Sequence, residues 1–118
     1  MSSTKYKKSE NLDFDHQKIM TLVQFAKKAN RIITGHDIVV RNIISKRVHL
    51  VLLATDLSQN LIIKMNEMCN QYNVPVVMDG TKKDSLKFSD REVGITGITD
   101  INFANGILNC ISHNEVED

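Results

Sequence analysis

Apolar positions along this chain follow two rhythms, one of helices and one of buried strands. Ile19, Leu22, Val23, Ala26 and Ala29 recur at i, i+3, i+4, i+7 and i+10, a single helical stripe. Asn30 follows, a residue that tolerates the left-handed conformation in which helices end. Ile32-Ile33 makes a short apolar step and Thr34-Gly35 punctuates it. A second helix is expected from Gly35 to Ser45, with Thr34 as N-cap and Val39, Val40 and Ile43 inward. Val48–Ala54 is almost continuously apolar, the mark of a strand covered on both faces. Asp56 and Ser58 open the next helix, whose stripe is Leu61, Met65, Met68, Cys69 and Tyr72, all read as core. Val74–Met78, beside the only proline, Pro75, reads as a second buried strand. Residues 79–92 are polar, with one short helix expected around Asp84–Phe88. Val93–Ile98 is a third strand, and Asp100 caps a last helix with Phe103, Ile107, Leu108 and Ile111 inward.

Helices alternating with doubly covered strands specify an α/β fold, a three-layer α/β/α sandwich with a small mixed sheet of about four strands. Residues 1–15 are polar and aperiodic and are expected to be a mobile tail. Residues 16–113 form the single domain and residues 114–118 a second tail.

Composition narrows the function classes. The 118 residues suit one domain with a core that needs no staples. No apolar run approaches the roughly 20 residues of a membrane span, and the opening Met1-Ser-Ser-Thr-Lys-Tyr-Lys-Lys has no apolar signal segment, so a cytoplasmic protein is expected. Cys69 and Cys110 lack CxxC spacing and read as reduced, buried thiols. His16, His36, His49 and His113 are scattered without a metal-ligand pair, so no metal and no cofactor is expected. Net charge is only +1, but its distribution is uneven. Residues 1–47 carry ten Lys/Arg against four carboxylates; residues 48–118 carry five against ten. Such asymmetry hints at a basic face that meets a polyanion, although Lys27 and Lys28 themselves read as solvated rather than specific.

Four ordered segments carry a family resemblance. Phe25-Ala-Lys-Lys-Ala-Asn-Arg-Ile-Ile-Thr-Gly35 resembles the opening of the kink-turn-binding ribosomal proteins of archaea and eukaryotes. Leu53-Ala-Thr-Asp-Leu-Ser-Gln-Asn60 resembles their strand-end motif, and Gln71-Tyr-Asn-Val-Pro-Val76 is similar to their tyrosine-asparagine-valine-proline step. Thr99-Asp-Ile-Asn-Phe-Ala104 looks like the last-helix start of the bacterial, YlxQ-type branch. Together they span residues 19–111.

The resemblance implies the same sandwich and an activity: recognition of kink-turn RNA, a sharply bent element with a short bulge and adjacent guanine-adenine pairs, by the N-terminus of the second helix. A helix start offers free N–H groups and partial positive charge to phosphate, and the bend exposes base edges that a regular A-form groove hides. The family segment glycine-x-asparagine-glutamate-x-x-lysine falls on Gly35, His36, Asp37, Ile38, Val39, Val40 and Arg41. Gly35 matches, and Arg41 keeps the charge that meets a guanine. Asp37 keeps an acceptor but loses the amide donors; Ile38 loses the acceptor. The resemblance also implies phosphate contact by Arg31, and a loop contact by Arg91 and Val93, flanked here by Asp90 and Glu92.

The expected partner is RNA, ribosomal RNA included, bound by a monomer. Neither a membrane nor a small-molecule substrate is expected. A protein-interaction module on the same fold is the alternative. An enzyme would need a cluster built from Asp56, Asp79 and Asp100 near strand ends; without a phosphate loop or nucleophile motif, no catalytic residue is assigned. The simpler expectation for Asp56 and Asp100 is helix capping.

Overall fold

A computed structural model describes residues 5–7 and 12–113. Seven strands and four α-helices follow one another as β1 (Lys5–Lys7), β2 (Leu12–Phe14), α1 (His16–Lys28), β3 (Ile32–Thr34), α2 (His36–Ile44), β4 (Leu50–Leu53), α3 (Gln59–Gln71), β5 (Val76–Met78), β6 (Ile95–Ile98), α4 (Ile101–Leu108) and β7 (Ile111–His113). A 3-10 helix, Lys83–Lys87, lies between β5 and β6.

The main sheet has the order β1-β5-β4-β6-β3. β4 is central, parallel to β5 and antiparallel to β6; β3 pairs antiparallel with β6. The four expected strands are present, and β1 adds a fifth, parallel to β5. β2 pairs with β7 in a separate two-stranded antiparallel sheet, with Phe14 opposite Ile111. Segments expected as tail thus contribute backbone pairing at residues 5–7 and 12–14. An edge strand of three residues is held by main-chain hydrogen bonds and leaves no hydrophobic rhythm to read. The expected tail at 114–118 lies outside the described residues.

β4 explains its own apolar run. Side chains alternate across a strand, so Val51 and Leu53 pack with Val39, Ile43, Ile62, Met65 and Cys69 of α2 and α3. Leu50 and Leu52 pack on the other face with Ile19, Val23, Ala104 and Ile107 of α1 and α4. This is the expected α/β/α sandwich. Ile111 belongs to β7 rather than to α4, which stops at Leu108; it still packs on the second core. The two cysteines are free and belong to opposite cores. Burial pushes the Cys69 thiol up to about 12, the state of an inert core residue.

Three helices end alike. Asn30, Lys46 and Asn73 have φ of 59°, 62° and 59°, and the next amide of each reaches back to a carbonyl five residues earlier: Arg31 to Ala26, Arg47 to Asn42, Val74 to Cys69. These are the paired terminal bonds of a left-handed C-terminal cap. They turn the chain sharply into β3, β4 and β5, and so place the starts of those strands at one edge of the sheet. Their ends, with the start of β6, define the opposite edge.

Candidate nucleic-acid interface

Three helix N-termini gather at that opposite edge: α1 leads into β3 from it, while α2 and α3 leave β3 and β4 there. Each adds partial positive charge to the same side of the molecule. Asp15 caps α1 by accepting from the Lys18 amide, and Ser58 caps α3 by accepting from Leu61. At the other edge, Asp100 caps α4, accepting from Asn102 at 2.7 Å and Phe103 at 3.2 Å. α2 differs. Its N-cap is Gly35 rather than Thr34, and no side chain caps it.

Gly35 has φ 102° and ψ 147°, a conformation that side-chain-bearing residues avoid. Its amide donates to the Ile95 carbonyl at 3.0 Å, which fixes the α2 start beside the start of β6. A Cβ at this position would meet nothing within 4 Å. The glycine therefore serves backbone conformation, not close packing: the space beside its Cα is open, and the first N–H groups of α2 have no side-chain cap.

Around it, α2 presents the expected residues together. His36 and Asp37 pair at 2.9 Å through Nδ1 and Oδ1, with the Asp37 side chain 90% exposed. Ile38 is 45% exposed although large and apolar. Arg41 lies one turn further, exposed. Asp37 stands at the i, i+4 spacing that favours an ion pair, yet the Arg41 guanidinium makes none among the described residues.

The loop before β6 comes to the same place through Ile95. Arg91 is exposed there. Val93 is turned half inward: it packs against the second core, and its amide donates to Ser85 Oγ at 2.8 Å. Ser85 in turn donates to the Lys82 carbonyl. Gly94 accepts from the Ala54 amide at 2.9 Å, and a Cβ on Gly94 would stand 2.3 Å from Leu57 Cδ2. Loop and β4–α3 turn are thus pressed together. Asp56 completes the join by accepting from the Lys82 amide at 2.9 Å, and so ties this loop rather than capping α3. Asp84 accepts from the Thr81 amide at 2.8 Å, a bond that holds its carboxyl below the usual range.

Leu57 and Lys82, both at Gly94, are neighbours of the site that sequence reasoning passed over. Leu57 had a signal, being a lone apolar residue in a polar strand-to-helix turn. Lys82, inside a polar stretch, had none.

Arg31 is not brought to this face. It sits at the opposite end of β3, its carbonyl bonded to the Thr99 amide and its Nε 3.9 Å from Asp100 Oδ2. Lys27, Lys28, Lys46 and Arg47, at the ends of α1 and α2, also lie away from the start of α2. The basic first segment is therefore split between two edges. Of the three aspartates considered for catalysis, Asp56 and Asp79 share the edge where α2 starts while Asp100 lies at the other, and each has its own partner: Asp56 holds Lys82, Asp79 pairs with His16 Nδ1 at 2.6 Å, and Asp100 caps α4. Among the described residues, no group of His, Cys, Asp or Glu is arranged to hold a metal, and no helix is long and apolar enough to cross a membrane.

Comparison with known proteins gives a consistent picture. Residues 17–86 match the model of the Ribosomal protein L7Ae/L30e/S12e/Gadd45 family. The RNA-binding protein YlxQ of Bacillus subtilis is 32% identical, the match covering 76% of this chain and 91% of that protein. YlxQ of Enterococcus faecium is 27% identical, covering 76% and 87%. Among solved structures, a protein of unknown function from Bacillus halodurans superposes with TM-score 0.76 at 24% identity, over 79% of this chain and 95% of its own. A 15.5 kD RNA-binding protein of Giardia lamblia superposes with TM-score 0.71 at 15% identity, over 89% and 88%. Likeness at such identity establishes the shared fold.

Proposed function

Because this chain belongs to the L7Ae/L30e/S12e/Gadd45 family of ribosomal proteins, we propose that it binds RNA of the kink-turn type through the N-terminus of α2 and performs no catalysis. The observation that carries this reading is the start of α2. Among the four α-helices it is the one whose first N–H groups have no side-chain cap, and it begins at a glycine with open space beside its Cα. Phosphate is the complementary ligand for such a terminus. Arg41 makes no ion pair among the described residues, which supports assigning it to a guanine edge. Ile38 and the apolar side of Leu57 offer surface to an unstacked base. Arg91 adds charge from the adjoining loop. On this reading the protein acts as a monomer in the cytoplasm on ribosomal or similarly folded RNA.

A protein-interaction role is the second reading. It is favoured by the exposed carboxylate of Asp37 at the tip of α2 and by the exposed Asp90 and Glu92 in the loop. A gel-shift titration separates the two. A generic kink-turn RNA is compared with a duplex of equal length in which Watson–Crick pairs replace the guanine-adenine pairs. Clear preference for the kinked RNA at moderate salt is expected. Equal, weak and salt-sensitive binding to both would reject specific recognition and favour the protein partner.

A further inference from the structure

A second feature lies outside the α2 face. Between α1 and the 3-10 helix Lys83–Lys87 lies an open groove of about 360 Å³, lined by Gln24, Phe25, Lys27, Lys28, Leu86 and Lys87 and continued by Phe88, Ser89 and Asp90. That volume is within the range of sites that hold a small heterocyclic ligand. Gln24 Nε2 donates to the Lys87 carbonyl at 2.9 Å, so the walls are joined and the groove is formed in advance.

Its lining combines two chemistries. Phe25 lies off the apolar stripe of α1 and is 51% exposed; Leu86, on the other wall, is 47% exposed. Both line the groove, so exposed apolar surface is set within a lining that is otherwise mostly polar. Lys27, Lys28 and Lys87 surround it, and none of them makes an ion pair among the described residues. Asp90 is the single carboxylate in the lining; Asp84, outside it, lies within electrostatic reach of Lys87, so the lysines remain in excess over the carboxylates. An aromatic face among unpaired lysines suits a ligand that is planar and polyanionic at once. Unpaired nucleotides have both properties: the base stacks on the ring while the phosphates meet the lysines.

Position supports the same ligand. Ser89 and Asp90 belong to the loop that continues through Arg91 to Val93 and on to the α2 start. The groove and the α2 face are therefore joined by one loop. We propose that the groove binds a single-stranded RNA segment that extends from the RNA held at α2, with a base on Phe25 and Leu86 and its phosphates at Lys27, Lys28 and Lys87. This rests on the RNA-binding reading above but assigns a separate surface, one that the Arg41 side of the molecule does not require.

The test measures binding to a kink-turn RNA, blunt or carrying a single-stranded oligoadenylate extension of about six nucleotides, within the usual span of single-strand sites. The extension is expected to tighten binding by wild-type protein roughly five- to tenfold, as stacking of one base would. Phe25→Ala should abolish that gain and leave blunt binding unchanged; Phe25→Tyr should restore it. Phe25 is half exposed, so its truncation spares the core. Replacing Lys27, Lys28 and Lys87 together by alanine should reduce the gain and its salt dependence. Equal binding of both RNAs by wild-type protein, or a gain that survives Phe25→Ala, would overturn the proposal while leaving the α2 reading intact. If kinked RNA has no advantage over duplex yet free oligoadenylate binds in a Phe25-dependent way, the α2 reading fails and the groove stands. Displacement of the extension by a glutamate-rich peptide at matching affinity would reassign the groove to a protein partner and also overturn it.

Discussion

Two helix starts lie at opposite ends of the paired strands β3 and β6, and they are built in opposite ways. α4 begins with Asp100, whose Oδ1 accepts from two first-turn amides and whose Oδ2 lies 3.9 Å from Arg31. Its donors are satisfied within the chain, and its nearest cation is engaged. α2 begins with Gly35, has no side-chain cap, and carries Arg41 without a carboxylate partner among the described residues. The same family of groups, a helix start and an arginine, closes on itself at one edge and stays open at the other. A cap contributes about 1 kcal/mol to a helix. α2 forgoes that contribution, and its unsatisfied donors and free cation are what an external anion would use. Counting basic residues along the chain does not distinguish the two edges; asking which of them already have partners does.

The comparison breaks most readily at Arg41. Arg41→Ala is expected to weaken binding of kink-turn RNA by about 1–3 kcal/mol, the value of a guanine contact. The Arg41 side chain is exposed on α2 and makes no ion pair among the described residues, so the melting temperature should not change. Titration of both RNAs alongside a thermal melt decides it. Undiminished affinity would mean that the open helix start is not the reading face.

Asp100→Ala probes the closed edge. The loss of two cap bonds is expected to lower stability by about 1 kcal/mol. The long, mostly exposed contact with Arg31 adds little to this. A urea titration should show the shift, with kink-turn affinity unaltered. A parallel fall in affinity would show that the α4 edge, with Arg31 released, takes part in recognition after all.

Much of this contrast could be read before any coordinates, and the parts that could not share a cause. The stripe of α1, the doubly buried β4 and the Asp100 cap each rest on local rhythm or local chemistry, and each is found as expected but for Ala29, which ends the α1 stripe as the exposed C-cap of the helix. Gly35 is legible as a turn glycine and a site residue, but the sequence points to Thr34 as the cap because threonine commonly fills that position. The extended, positive-φ geometry that makes Gly35 the boundary depends on its bond to Ile95, sixty residues away in sequence. Asp56 was read as a cap for its position before a helix, yet Ser58 occupies that role and Asp56 holds Lys82. Arg31 was grouped with Arg41 by the family pattern; a strand of three residues carries it to the far edge, where Asp100 is waiting. Leu57 against Gly94, and Phe25 facing Leu86, are juxtapositions made by tertiary packing alone. One residue's chemistry was legible throughout. Which distant residue had already claimed it was not.

The smallest expected effect sharpens the comparison most, because it moves two quantities in opposite directions. Asp37 is the one acidic residue in the first turn of α2. A carboxylate there favours the helix dipole by about 0.3–1 kcal/mol at low ionic strength, a partial substitute for the absent cap. It also stands, 90% exposed, where a phosphate would approach, and it pairs with His36. Asp37→Asn removes the charge and supplies amide donors in its place. Stability in low salt should fall slightly, while affinity for kink-turn RNA should rise by a few tenths of a kcal/mol up to about 1, since a like charge leaves the binding surface and its field is only partly screened. Both changes should shrink as salt is raised. If α2 began with a closed terminus like that of α4, the substitution would cost stability and leave RNA affinity untouched. If Asp37 itself accepted a hydrogen bond from a base, affinity would fall instead. Paired urea and RNA titrations at two salt concentrations distinguish these cases, because only an open helix start that serves an anion predicts a less stable protein that binds RNA more tightly.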